Sequence, residues 1–189
     1  MSDNAHKSVF IISGKTGSGK TTFLLDLIEQ LRRSTLSIAG FAALSVPEDG
    51  PSGSYHILDL VSGTILPLAS RRITEGWELF GQFYFNPEGI QLGRNILEDP
   101  LIIHHDIIVV DEIGPFELEG KIWADCLTRL LGRQYPSILL VVREALVPQV
   151  IHQWSLKDAM IIDTGRIKPG QAATMILSKT GGTRPLKRH

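Results

Sequence analysis

The sequence predicts an α/β fold in which a mostly parallel sheet carries helices on both faces. Three observations lead to this class. Short, almost wholly apolar runs recur along the chain, amphipathic stretches separate them, and a glycine-rich loop joins the first run to the first amphipathic stretch. Continuous apolar runs of this length are typical of parallel strands that are buried on both faces. The runs are residues 9–12, 107–110, 138–142 and 160–162, with a fifth candidate at 37–45.

Two of the amphipathic stretches have the period of a helix. The first stripe is formed by Leu24, Leu27, Ile28 and Leu31, and the second by Ile122, Cys126, Leu127, Leu130 and Leu131. Apolar side chains three or four residues apart share one face of a helix, which can then pack on the sheet. The alternation of strands and helices predicts right-handed crossovers between parallel strands.

One segment breaks this alternation. Residues 54–68 read as two short strands around a turn at 61–64, so we predict a β-hairpin inserted in the α/β core. Residues 48–53 before it have the composition of a loop. The basic segment 181–189 has no apolar period and is expected to be a flexible tail. We therefore expect a single domain over residues 1–180.

The composition is that of a globular protein in a reducing compartment. The chain has 189 residues, of which 43% are hydrophobic and 21% charged, and its net charge is −1. This balance argues against nucleic-acid binding. The single cysteine, Cys126, excludes an intramolecular disulfide and a multi-cysteine zinc site. Because no apolar stretch approaches the ~20 residues of a membrane helix, we expect a cytoplasmic protein that does not enter membranes.

The glycine-rich loop matches the phosphate-binding pattern G-x-x-x-x-G-K-[ST] in full. Its residues are Gly14, Lys15, Thr16, Gly17, Ser18, Gly19, Lys20, Thr21 and Thr22. Glycines allow consecutive backbone N–H groups to turn toward an anion, and the helix that starts near Lys20 directs the positive end of its dipole at that anion. We expect Lys20 to reach the β- and γ-phosphates of a nucleoside triphosphate, Thr21 to ligate Mg²⁺, and Thr22 to donate to the α-phosphate.

Two carboxylates follow the apolar run at 107–110. A P-loop protein needs a carboxylate for the Mg²⁺ shell at the carboxyl end of a neighbouring strand. Asp111 is the candidate for that role, and Glu112 is placed to orient and polarise an attacking water. A second carboxylate beside the metal ligand favours hydrolysis, since transfer to another acceptor requires the exclusion of water.

The order of these motifs resembles that of a known family. After the P-loop come Gly40 and Phe41, the hairpin segment, and the string Asp-Glu-Ile-Gly-Pro-Phe-Glu-Leu at 111–118. This order, over most of residues 9–163, is similar to that of the small RecA-like P-loop nucleoside-triphosphatases. That family includes the human cancer-related nucleoside-triphosphatase and its thermophile relatives.

The resemblance implies a RecA-like fold and slow, Mg²⁺-dependent hydrolysis of ATP or GTP at the β–γ bond, with little selection among bases. Lys20 and Thr21 match the family's P-loop pair, and Asp111 and Glu112 match its Walker B pair. The sequence departs from the family pattern at 115–116 and at 143–144.

Arginines near strand ends are further candidates for contact with the γ-phosphate. Arg143 ends a core strand, where it could contact the γ-phosphate, but the favoured expectation is a surface salt bridge, with Glu144 as a candidate partner. Arg94 is a similar candidate, whereas Arg71 and Arg72 are more typical of a solvated pair. None of them is assigned as an arginine finger from the sequence.

Three other groups fit structural roles better than chemical ones. Cys126 lies on an apolar helical stripe and is expected in the core. His104 and His105 are adjacent, so they are poorly placed to share a metal. The aromatic-rich stretch 77–85 is expected to pack in the core, the alternative being a ring that stacks on a nucleobase.

Two alternatives to a hydrolase remain open at this point. A small-molecule kinase would need a second pocket for an acceptor, formed by the hairpin and residues 77–85. A nucleotide-dependent switch or assembly factor, for instance in cofactor biosynthesis, would need a protein partner that the sequence does not identify.

Overall fold

The computed structural model describes residues 8–46, 53–132 and 137–180. One sheet of nine strands runs through these residues. The strands are β1 (Val9–Gly14), β2 (Ile38–Val46), β3 (Ser54–Asp59), β4 (Ile65–Ser70), β5 (Glu78–Phe80), β6 (Phe83–Phe85), β7 (Ile107–Ile113), β8 (Ser137–Arg143) and β9 (Met160–Asp163). The helices are α1 (Lys20–Arg33), α2 (Pro87–Glu98), α3 (Pro115–Leu118), α4 (Ala124–Gly132), α5 (Val147–Gln153) and α6 (Pro169–Thr180). The predicted tail at 181–189 lies outside the described residues.

The parallel half of the sheet contains the five strands that the apolar runs predict. Its order is β2-β7-β8-β1-β9, and every neighbouring pair in it is parallel. Parallel strands end at the same edge of a sheet, so the loops after β1, β7 and β8 come together there. The α/β class with a RecA-like parallel core is therefore confirmed.

The other half of the sheet is antiparallel and extends it beyond β2. The predicted hairpin forms β3 and β4, but it is joined to the main sheet because β3 pairs with β2 from Phe41 to Val46. Its second strand ends at Ser70, two residues beyond the predicted end. The strands β5 and β6, of three residues each, then add a second hairpin that the sequence did not predict.

Helices cover both faces of the sheet, as predicted. Helices α1 and α6 pack together on one face, where Leu24, Leu27 and Ile176 are buried. Helices α2 and α4 pack on the other face around Leu97 and Leu127.

The assignment of Ile122 to the second helical stripe was wrong. The α4 helix starts at Ala124, and Ile122 precedes it with a φ of 57°. Its side chain is nevertheless buried in the same core cluster as Cys126 and Leu127. Ile122 fits the apolar pattern of the helix because it packs in the same core, although it lies in the turn before the helix.

Strands β2 and β7 approach each other closely at Gly40. This residue has a φ of 105° and is paired with Val109. A Cβ at this position would lie 2.0 Å from the carbonyl oxygen of Val109, so a side chain cannot be accommodated without moving the backbone.

Among the helices in the described parts of the chain, none is long and apolar enough to cross a membrane.

Candidate nucleotide-binding site

The P-loop connects the end of β1 to the start of α1. Gly17 and Gly19 have φ angles of 74° and 78°, in the left-handed region that favours glycine, so the loop can turn back toward the helix. The loop is exposed from Lys15 to Gly19, whereas Lys20 is only 8% exposed. Its Nζ donates to the backbone carbonyl of Lys15 at 3.2 Å. The first turn of α1 has no acidic residue that would repel an anion.

Thr21 at the start of α1 and Asp111 on β7 are in contact with each other. The Thr21 hydroxyl donates to Oδ2 of Asp111 at 3.1 Å, and the N–H of Ala43 on β2 donates to the same oxygen at 3.2 Å. Asp111 is 1% exposed, and burial is the main cause that raises its pKa to about 7; the charge of Glu112 adds to this shift. A hydroxyl beside a buried carboxylate is a set of hard oxygen donors, so these two residues fit Mg²⁺.

Glu112 lies between two cations. The strand β7 bulges at this residue, since its neighbours Asp111 and Ile113 pair with consecutive residues of β8. Its Oε1 is 3.5 Å from Nζ of Lys20 and 3.2 Å from Nε of Arg143. The side chain is 27% exposed, so a water can approach the carboxylate. The bulge thus turns the second carboxylate of the pair toward the P-loop lysine.

The ion pair of Arg143 differs from the expected one. Its guanidinium contacts Glu112 through Nε at 3.2 Å and Nη2 at 3.4 Å, and not Glu144, which is exposed. The expectation of a surface pair with Glu144 was wrong because β8 and β7 are neighbours, which brings the end of β8 against Glu112. Arg143 therefore belongs to the site through its contact with this carboxylate.

Three other residues that the sequence singled out lie elsewhere. Arg94 on α2 forms an ion pair with Asp125 on α4 at 2.6 Å, so it ties two helices together away from the P-loop. Cys126 is 1% exposed and burial raises its pKa to about 12, which confirms that it is a core residue and not a nucleophile. The guanidinium of Arg71 lies over the ring of Phe83 at 5.1 Å.

Glu117, in the string at 111–118, has no role in the predictions from sequence but is a buried residue of this region. Glu117 is 3% exposed, and its carboxylate accepts the N–H of Gly114 at 2.8 Å. Gly114 precedes the proline that starts α3, so Glu117 stands at the third position of the helix and reaches back to its start. Glu117 thus forms one half of a capping box, in which a glutamate at the third position accepts the N–H of the N-cap residue. Gly114 has no side chain to complete the motif, so the sequence signal for a buried Glu117 is only the glutamate three residues after the N-cap. Burial raises its pKa to about 8.

Glu117→Gln should make stability less dependent on pH. The pKa of Glu117 rises from an ordinary 4.5 to about 8 on folding, so this group stabilises the fold fully below the lower value and loses that contribution as pH rises through the upper one. Glutamine does not titrate and can still accept the N–H of Gly114. Between about pH 5 and pH 9 the stability of the variant should rise relative to wild type by about 3–5 kcal/mol.

The measurement is the unfolding midpoint of both proteins across this pH range. The exposed Glu119 lies two residues further on, and Glu119→Gln should follow the wild-type curve throughout. A constant difference between Glu117→Gln and wild type at all pH values would contradict the raised pKa.

The fold and the site together define a class of protein. A P-loop leads from a buried strand into a helix, and a neighbouring parallel strand ends in a buried aspartate that contacts the P-loop threonine. This is the arrangement of a P-loop NTPase with a RecA-like core.

Comparison with known proteins gives the family. A family model described as NTPase matches residues 9–166. The chain is 29% identical to the nucleoside-triphosphatase THEP1 of Archaeoglobus fulgidus over 88% of this chain and 96% of the relative. It is 32% identical to the THEP1 protein of Pyrobaculum aerophilum over 69% of this chain and 71% of the relative. The chain belongs to this NTPase family, which confirms the predicted enzyme class and a nucleoside triphosphate as its substrate.

Solved structures agree on the fold. The solution structure of a human cancer-related nucleoside triphosphatase superposes with a TM-score of 0.69 at 22% identity, over 94% of this chain and 100% of that one. The crystal structure of THEP1 from Aquifex aeolicus gives a TM-score of 0.67 at 22% identity, over 90% and 97% of the two chains.

Proposed function

We propose that this protein hydrolyses ATP, GTP and other nucleoside triphosphates to the diphosphate and phosphate, with Mg²⁺ and without strong selection among bases. The observation that carries the proposal is the position of Glu112. Its carboxylate lies 3.5 Å from the P-loop lysine, so the group that would activate water and the group that would hold the β- and γ-phosphates converge on one point.

The triphosphate would bind along residues 14–22. The exposed loop from Lys15 to Gly19 offers backbone N–H groups, and the start of α1 offers the positive end of a helix dipole. Lys20 would exchange its present contacts, with the Lys15 carbonyl and Glu112, for oxygens of the β- and γ-phosphates. Thr22 is exposed at the same end of the helix and is proposed to donate to the α-phosphate.

Thr21 and Asp111 would hold Mg²⁺. The ion would neutralise charge that develops on the phosphate oxygens during hydrolysis. Asp111 is kept in place by the N–H of Ala43 as well as by Thr21, so its carboxylate is oriented before a ligand arrives.

Glu112 would act on the attacking water. It accepts a proton as the water oxygen bonds to the γ-phosphorus, and the bond from that phosphorus to the bridging oxygen breaks, which releases the nucleoside diphosphate. Arg143 is a positioning residue in this scheme, since two of its nitrogens contact the Glu112 carboxylate and hold it in place.

The family match favours hydrolysis over the kinase and switch alternatives. Base tolerance is proposed because the sequence lacks the Asn-Lys-x-Asp motif of guanine-specific GTPases. A cytoplasmic location and the absence of a nucleic-acid partner stay predictions from the composition.

Phosphate release from ATP, GTP and CTP tests the proposal. With Mg²⁺ present, we expect turnover of all three, with rates that differ by less than about tenfold, which corresponds to ~1.4 kcal/mol of activation free energy. Removal of divalent cations with EDTA should lower all three rates to background, and added Mg²⁺ should restore them. A preference for one base above about a hundredfold would contradict base tolerance, and release that survives EDTA would contradict the metal requirement.

A further inference from the structure

An aromatic cavity lies next to the nucleotide site. It holds about 90 Å³ of space and is open to solvent on one side. Its aromatic walls are Tyr55, Phe83, Phe85, Phe116 and Trp123, and its polar groups are Glu112, Glu117 and Arg143. None of residues 14–22, all of which the structure describes, lines it. Ligand pockets usually combine apolar walls with a few polar groups, and this cavity has both.

The aromatic walls come from separate parts of the chain. Tyr55 on β3 and Phe83 on β6 meet edge to face, with ring centroids 5.8 Å apart. Phe85 on β6 and Phe116 on α3 do the same at 5.5 Å. The antiparallel half of the sheet therefore supplies much of the wall, from the two segments that the acceptor pocket of the kinase alternative would need. Aromatic walls favour flat rings and cations as ligands.

The two carboxylates of the cavity differ in their partners. Glu112 is already balanced by Lys20 and Arg143. Glu117 makes no ion pair with any residue in the described ranges; its carboxylate is held by the N–H of Gly114. A buried carboxylate gains most from a cationic or N–H-rich partner, because burial has removed the water that would otherwise solvate its charge.

We propose that this cavity binds a small, flat aromatic molecule that carries an amidine-like pair of N–H groups, with its ring against the aromatic walls and its N–H groups on Glu117. Two parallel N–H groups match the geometry of a carboxylate, as they do in arginine–carboxylate pairs. The positive charge of an amidine is also attracted to the faces of the surrounding rings.

This ligand is distinct from the nucleotide. Glu112 and Arg143 line the cavity. In the proposed function, water would attack the γ-phosphate beside Glu112. In the proposed function the nucleoside would continue from the α-phosphate, at the end of the triphosphate away from Glu112, so its base would be directed away from this cavity. Binding here goes beyond triphosphate hydrolysis and does not depend on it.

Calorimetric titration of the nucleotide-free protein with benzamidine and benzamide tests the inference. It is carried out at about pH 9, where Glu117 is ionised although burial raises its pKa to about 8. The two probes have the same ring and nearly the same shape, but only benzamidine is a cation with two N–H donors. We expect saturable binding of benzamidine, at least about tenfold tighter than that of benzamide. Glu117→Gln should bring the two affinities within about twofold of each other, and Phe83→Leu should weaken benzamidine several-fold.

A matched variant and a folding control accompany these measurements. Glu119→Gln removes an exposed carboxylate two residues away, which does not line the cavity, and should leave benzamidine binding unchanged. Circular dichroism and nucleotide binding show whether each variant is folded.

Two results would overturn the inference. One is no saturable binding of benzamidine to wild type up to about 20 mM, a limit that a ring of this size in a fitting pocket should easily pass. The other is benzamidine binding that Glu117→Gln and Phe83→Leu, both folded, leave unchanged. Neither result bears on phosphate release, which is measured without these probes.

Discussion

Replacement of Glu112 by glutamine should abolish most hydrolysis while nucleotide binding survives. The amide keeps the size of the side chain but cannot accept the proton of the attacking water. A positioned general base contributes about 10²–10⁴-fold, so kcat should fall by about that factor. The loss of the negative charge also frees Lys20 from its ion pair, so nucleotide affinity should stay the same or rise. Phosphate release and nucleotide titration on the same preparation measure both effects.

Glu144→Gln is the matched control for this variant. Glu144 is an exposed glutamate two residues beyond the buried part of β8, and the Arg143 guanidinium is directed at Glu112 instead. We expect its kcat to remain within about twofold of wild type, as for most surface substitutions. Wild-type turnover in Glu112→Gln would contradict the assignment of this carboxylate as the base. A large loss in Glu144→Gln would move that role toward Glu144.

Lys20→Ala should weaken both nucleotide binding and turnover. The ammonium is 8% exposed, directed back along the P-loop, and close to Glu112. Loss of one positioned group that stabilises the charge developing in the transition state lowers the rate by about 10²–10³-fold. Because Lys20 would also hold the ground-state phosphates, the nucleotide dissociation constant should increase as well. Initial rates over a range of ATP concentrations separate the two effects.

Lys157→Ala provides a comparison for the loss of a lysine. Lys157 is exposed between α5 and β9, so its removal changes the net charge by the same amount without touching the P-loop. If Lys157→Ala loses as much activity as Lys20→Ala, long-range charge and not local contact is responsible. A Lys20→Ala protein with wild-type kcat/KM would mean that the triphosphate does not lie along the P-loop as proposed.

The parallel half of the fold and most of the phosphate site follow from local sequence. Runs such as 107–110 and 138–142 are apolar at every position because both faces of those strands are covered, and this pattern is legible without tertiary information. The P-loop is contiguous, so its spacing alone specifies the strand, the turn and the helix start. Asp111 then required only the rule that parallel strands end at a common edge.

The remaining features depend on which strands are neighbours. The pair between Arg143 and Glu112 arises from the β7–β8 contact and the bulge at Glu112, neither of which has a local signature. The strands β5 and β6 have three residues each, too few to show an alternating pattern. The aromatic cavity is assembled from the antiparallel half of the sheet, the ends of β7 and β8, α3 and the turn before α4, so composition indicated aromatic packing but not a cavity.

The close approach at Gly40 links the fold to the chemistry. Ala43, whose N–H binds Asp111, follows Gly40 by three residues on the same strand. A side chain at position 40 would force β2 away from Val109, and the N–H of Ala43 would leave the aspartate with it. Position 40 should therefore behave in a mutational scan like an active-site position, although no ligand would touch it. Because Gly40 has no side chain, β2 can lie close enough to β7 for Ala43 to orient the Asp111 carboxylate.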